Sequence, residues 1–149
     1  MNAETALYNT ISDAVDAATS GQSLYGASVF SSTRGNAASA DKTIRIQVLS
    51  GMYQPATDPA LNEHRCEFVI QCLCKAGSVG LAGEQAAQEA ADDLALAVLD
   101  VLVGDPSLGG EICTLDMFDG EKNFDRLVID LGAAKYGSFY WYGVINPIG

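Results

Sequence analysis

Basic residues are scarce in this chain: eight lysines and arginines stand against nineteen aspartates and glutamates, for a formal net charge of −11. A grip on phosphate backbones needs clustered cations, so specific nucleic-acid binding is not expected. Histidine is rarer still. His64 is the single one, it has no patterned nucleophile beside it, and next to a C-x-C it is a poor match to the spaced Cys pairs or Cys-with-His of a zinc site. No basic start is followed by an apolar run, and no apolar stretch is long enough to cross a bilayer, so neither a secretory signal nor a membrane segment is expected. The run Gly77–Gly83 (GSVGLAG) lies where phosphate loops lie, between a strand-like and a helix-like segment. It lacks the Lys-Ser/Thr of a P-loop and does not match G-x-G-x-x-G. Glu84 at its mouth would repel a phosphate. Acids four apart on a helix, such as Glu89 and Asp93, can hold a hard cation, but more often make a wet face. No catalytic residue, cofactor site or metal site is assigned, and the chain is expected not to be an enzyme.

What the chain does have is concentrated between His64 and Val103. In His64–Ala76 the residues Cys66, Phe68, Ile70, Cys72 and Cys74 alternate with Arg65, Glu67, Val69, Gln71, Leu73 and Lys75. A period of two with one continuous apolar face predicts a half-buried strand, because successive side chains point to opposite sides of a sheet. The cysteines on that face read as small buried hydrophobes with free thiols. Gly77, Gly80 and Gly83 break the pattern, and from Glu84 to Val103 the period becomes 3.6. Ala87, Ala91, Leu94, Val98 and Leu102 make one stripe of a helix, whose alanines let it lie close against a sheet.

Around this unit the rest of the chain supplies further elements. Asn2 caps a first helix with Glu4 in its first turn; Leu7, Ile11, Ala14, Val15 and Ala18 form its buried stripe, and Gly21 ends it. Leu24–Phe30 has the alternation of a short edge strand. Thr43–Leu49 is a firmer strand with Ile44, Ile46 and Val48 toward the core, followed by a long connection, Gly51–Glu63, carrying Met52, Tyr53 and Leu61. Gly104-Asp105-Pro106 stops the second helix. Three strand-like runs follow, Glu111–Phe118, Phe124–Leu131 and Ser138–Ile145, the first two placed as a hairpin about Asp119–Asn123. The last run carries Tyr140-Trp141-Tyr142, aromatic on both faces, which suits a strand covered on both sides or an interface. At 149 residues the chain is expected to form one α+β domain, a mostly antiparallel sheet with two amphipathic helices packed on it.

The negative charge is uneven. Between Glu84 and Asp130 twelve acids face only Lys122 and Arg126. Solubility through a solvated helix face is the plain account of such a cluster.

The succession of an amphipathic N-terminal helix, a strand ending near a long polar loop, the strand HRCEFVIQCLCKAG, a helix after a glycine break and the closing strand GSFYWYGVI resembles the tail terminator proteins of long-tailed bacteriophages and the related tail-completion and neck proteins. The resemblance spans nearly the whole chain and is one of pattern and length, without a diagnostic motif; the stretch from 111 to 131 is longer than the pattern. It implies a non-enzymatic virion protein, assembled in the host cytoplasm. Such a protein forms a homohexameric ring, caps the tail tube protein, stops its polymerisation and meets a neck or head-completion protein. On that reading Met52, Tyr53, Leu61, Tyr140, Trp141 and Tyr142 are interface candidates. DNA passes through the lumen without specific binding. Some of Glu84, Glu89, Asp92, Asp93, Asp100, Asp116, Asp119 and Glu121 line that lumen and repel phosphate. Other classes are another phage neck or head–tail connector protein, a bacterial adaptor that dimerises through its sheet, and a non-viral ligand-binding α+β domain.

Overall fold

The computed structural model describes residues 3–31, 41–54, 63–105, 113–116, 124–131 and 134–147. In chain order these form α1 (Ala3–Ala17), β1 (Ser28–Ser31), β2 (Lys42–Gln54), β3 (Glu63–Lys75), α2 (Leu81–Gly104), β4 (Cys113–Asp116), β5 (Phe124–Leu131) and β6 (Ala134–Pro147). The strands make one sheet in the order β1-β2-β3-β6-β4, with β5 also on β6. Only β1–β2 is parallel; every other pairing is antiparallel. The fold is α+β, with a mostly antiparallel sheet and two helices, as the patterning predicts.

Three expectations change. β2 does not stop at Leu49: it continues to Gln54, and β3 takes up again at Glu63. Met52 and Tyr53 are therefore strand residues, opposite Arg65 and His64, while Leu61 and the two prolines of the connection lie outside the described residues. Ser50 and Gly51 suggest a chain break locally, but pairing with β3 overrides that weak preference, and a bulge between Val48 and Ser50 absorbs the irregularity. The second change is that β4 and β5 form no hairpin with each other. β5 pairs with Ala134–Trp141 of β6, and β4 with Val144–Pro147. β6 is long enough to give both of them a partner, so the run 111–131 feeds one strand twice. The third is that β3 is buried on both faces at its centre.

The register explains that double burial. Phe68, Ile70, Cys72 and Cys74 face the helices together with Ile44 and Ile46 of β2 and Trp141 of β6. Ala6, Leu7 and Ile11 of α1 and Ala91, Leu94, Ala95, Val98 and Leu102 of α2 close over them as one core. On the opposite side of the sheet Leu73 lies in register between Thr43 and Ser138, and all three are buried. Val69 and Gln71 are buried there too. Trp141, 3% exposed, meets Phe68 edge-on with ring centroids 5.9 Å apart. Among the described residues its buried Nε1–H has no acceptor, a cost of roughly 1–3 kcal/mol that burial of so large a ring offsets.

Helix α2 sits very close to β6. A Cβ on Gly137 would collide with the backbone of Ala87 and with the amide of Gln88. Gln88 in turn donates through Nε2 to the Ser138 carbonyl at 2.9 Å and accepts from the Ser138 amide at 3.4 Å. Small residues on both sides, Gly137 on the strand and Ala87 on the helix, make this approach possible. Gly137→Ala is expected to lower stability by roughly 1–3 kcal/mol, since backbone on both sides must move apart. Gly104→Ala, at a position with open space around it, is the control. Equal denaturation midpoints for the two variants would show that the approach is not tight.

Cys72 and Cys74 are buried free thiols. Burial pushes both upward from the ordinary thiol value of 9.0, and the Cys74 thiol reaches about 11, with Lys42 pulling it down and Asp93 adding to the rise. Above pH 9 the unfolded chain releases these protons while the folded chain keeps them, so stability falls as pH rises. By pH 10 each thiol is expected to remove about 1.4 kcal/mol. Urea unfolding of Cys72→Ala/Cys74→Ala at pH 8 and pH 10 should therefore show a smaller alkaline loss than the parent. Parallel losses in the two proteins would assign the effect to other groups.

Candidate assembly surface

The two sides of the sheet differ in what they carry. The helix side is a closed apolar core. The other side bears a transverse row in strict register across four strands: Phe30 of β1, Arg45 of β2, Gln71 of β3 and Tyr140 of β6. The Arg45 guanidinium lies 5.5 Å from the centre of the Phe30 ring and donates to Gln71 Oε1 at 3.3 Å. Gln71 Nε2 passes the chain on to the Tyr140 hydroxyl. A cation over an aromatic face and a buried amide with both ends used make this row a fixed strip rather than four separate side chains.

On either side of the row lie aromatic rings. Tyr136 is buried and in register with Lys75, while Tyr142 is half-buried and opposite Val69. Arg45 and Lys75 are exposed. No described helix packs on this side, because α1 and α2 share the single core on the other. Of the interface candidates, Tyr140 and Tyr142 thus stand on the side away from the helices. Trp141, between them, points into the core. The alternation that separates them was legible in the sequence; the row was not. Phe30 and Arg45 belong to it only because β1 pairs parallel with β2 in this register. The one available signal was Gln71, a lone amide between Val69 and Leu73.

The acids separate in the same way. On α2, Glu89, Asp93 and Asp100 are exposed, with Leu96 and Val103 exposed among them. Asp92 is half-buried and accepts from Gln88 Nε2 at 3.0 Å. Glu84 is held by Lys135 at 2.7 Å. Asp116 is in β4 opposite Val144; Asp119 and Glu121 lie outside the described residues. The helix contains no basic residue, so every charge on its outer side is negative.

The glycine segment forms a recess of about 410 Å³ lined by Lys75, Gly77, Ser78, Gly80, Glu84 and Lys135, among others. Gly80 has φ +108°, and α2 starts there without a side-chain cap. Gly83 lies within α2 and not ahead of it, in contact range of Ser78, where a Cβ would not fit. The Glu84 charge expected to oppose phosphate is largely answered by Lys135. Among the described residues no group of three His, Cys, Asp or Glu side chains is arranged to hold a metal ion, and no helix is long and apolar enough to cross a membrane.

No known family model matches the chain. No curated protein matches it either.

Proposed function

We propose that this chain is a structural, non-enzymatic protein of a long-tailed bacteriophage virion, whose copies form a homohexameric ring on the end of the tail tube. The ring stops addition of tube subunits and offers its other side to a neck or head-completion protein. The reading rests on the order of elements: a leading helix, a long two-stranded unit, a glycine break, a second helix and a closing aromatic strand. In the fold that order becomes one sheet with both helices on one side and Tyr140 and Tyr142 on the other. A ring subunit needs surfaces for two neighbours and for the tube, and a sheet whose second side carries aromatics and exposed cations supplies one.

The test uses the purified chain with the tail tube protein of the same phage. Six-fold rings in negative stain, and tubes whose growth ends when the chain is added, are expected. A closed two-fold dimer that persists in the presence of tube protein, with unaltered tube growth, would refute the reading.

In the ring, the exposed acids of α2 face the channel. Phosphate is repelled over about 8 Å at physiological salt, enough to keep a passing genome from adhering. Replacing Glu89, Asp93 and Asp100 together by lysine is expected to slow DNA ejection from assembled particles, most strongly at low salt. Ejection at the parent rate would put these acids on the outer wall, where they serve solubility.

A further inference from the structure

We propose that the outer edge of β2, Gln47–Gln54, is a strand-pairing site for a second copy of this chain, which presents the β4–β5 side of its own sheet. The inference builds on the ring reading, for which it names the surfaces that join one subunit to the next.

β1 covers β2 only along Thr43–Ile46. Beyond that, Gln47–Gln54 continues in the ladder with β3, and among the described residues no strand lies on its other side. The stretch reads QVLSGMYQ, without a charged residue or a proline. Edges that remain unpaired are normally blunted by lysine, by proline or by an inward charge. This one carries none of them, although its partner strand β3 has Glu63, Arg65, Glu67 and Lys75. The bulge between Val48 and Ser50 bends the edge, and curvature is what a sheet continuing from copy to copy around a ring requires.

The far side of the sheet fits this edge in direction and in level. β2 runs antiparallel to β3, β3 to β6, and β6 to both β4 and β5. β4 and β5 therefore run opposite to β2. A neighbour in the same orientation brings its β4–β5 side to β2 as an antiparallel pair. The registers Ser50–Glu67–Val144–Asp116 and Gly51–Cys66–Ile145–Leu115 put the free half of β2 at the same end of the sheet as β4. Charge selects the same pairing. The β4–β5 side carries Asp116, Asp125 and Asp130 against Arg126, so two such sides would meet acid to acid. The neutral β2 edge accepts one without like charges opposed. Two different surfaces joined in this way give a head-to-tail contact, which closes into a ring when the rotation per copy allows it.

The test blocks each side separately in the full chain. Adjacent residues of a strand point their N–H groups in opposite directions, so one of Gly51→Pro and Met52→Pro removes an outward donor and spares the ladder with β3. Thr114→Pro and Leu115→Pro do the same for β4. In each pair the variant that keeps the parent's circular dichroism is used, and Ser50→Lys/Gln54→Lys serves as a second block of β2. Sedimentation velocity is expected to find the parent as a ring and each blocked variant as a monomer. A mixture of the β2-blocked and β4-blocked variants should give a one-to-one dimer, because one intact junction remains. A parent that stays monomeric overturns the proposal. So does a β4-blocked variant that dimerises alone, which would mean that two β2 edges pair with each other. Rings that persist with both edges blocked overturn it too, while leaving the ring reading intact.

Discussion

The close seating of α2 on β6 is the contact on which the rest of this structure depends. At Gly137 the strand backbone and the helix backbone at Ala87 come together with no room for a methyl group. Gln88 spans the same point with hydrogen bonds to the Ser138 backbone. This contact sets the height of α2 above the sheet and hence the depth of the core. Leu94, Val98 and Leu102 then reach the sheet side chains, and α1 fills what α2 leaves uncovered. A larger residue at Gly137 would push the helix backbone at Ala87 away from the strand, because packed interiors do not deform at low cost.

With the helices seated on one side, the other side of the sheet is tied together by the Phe30–Arg45–Gln71–Tyr140 row, with short polar residues flanking Leu73. The row joins four strands, including the short parallel β1, whose four residues would otherwise hold by little more than their ladder. It also keeps a cation and a tyrosine hydroxyl in set positions on the surface proposed for assembly. The exposed acids of α2 and the sheet side that bears Arg45 and Lys75 lie on opposite sides of the domain. Two unlike edges are what the head-to-tail contact proposed above would use.

Much of the architecture could be read from the residues alone. Period two across β3 and period 3.6 across α2 located the central strand and the helix that covers it, and the stripe Ala87, Ala91, Leu94, Val98, Leu102 is buried in full. β5 begins and ends where the alternation predicts. These patterns are legible because each element has one side set by the core. Where sequence and structure part, the deciding contacts are remote in the chain. Ser50 and Gly51 look like the start of a loop, yet they are held as strand by Glu67 and Cys66. β4 and β5 look like partners, yet each finds β6.

The sequence by itself determined the elements that carry their own periodicity, the apolar side of each, the absence of a recognisable catalytic motif and the concentration of acids after residue 84. Local pattern is sufficient for these, since which side chains share a face follows from helix or strand geometry alone. Only the tertiary structure decided which strands pair, that Trp141 turns inward while Tyr140 and Tyr142 turn outward, that Lys135 answers Glu84, and that among the described residues no strand covers β2 beyond Ile46. Each of these depends on residues tens of positions apart being brought into register, and register is set by the packing of the whole sheet against α2 and α1.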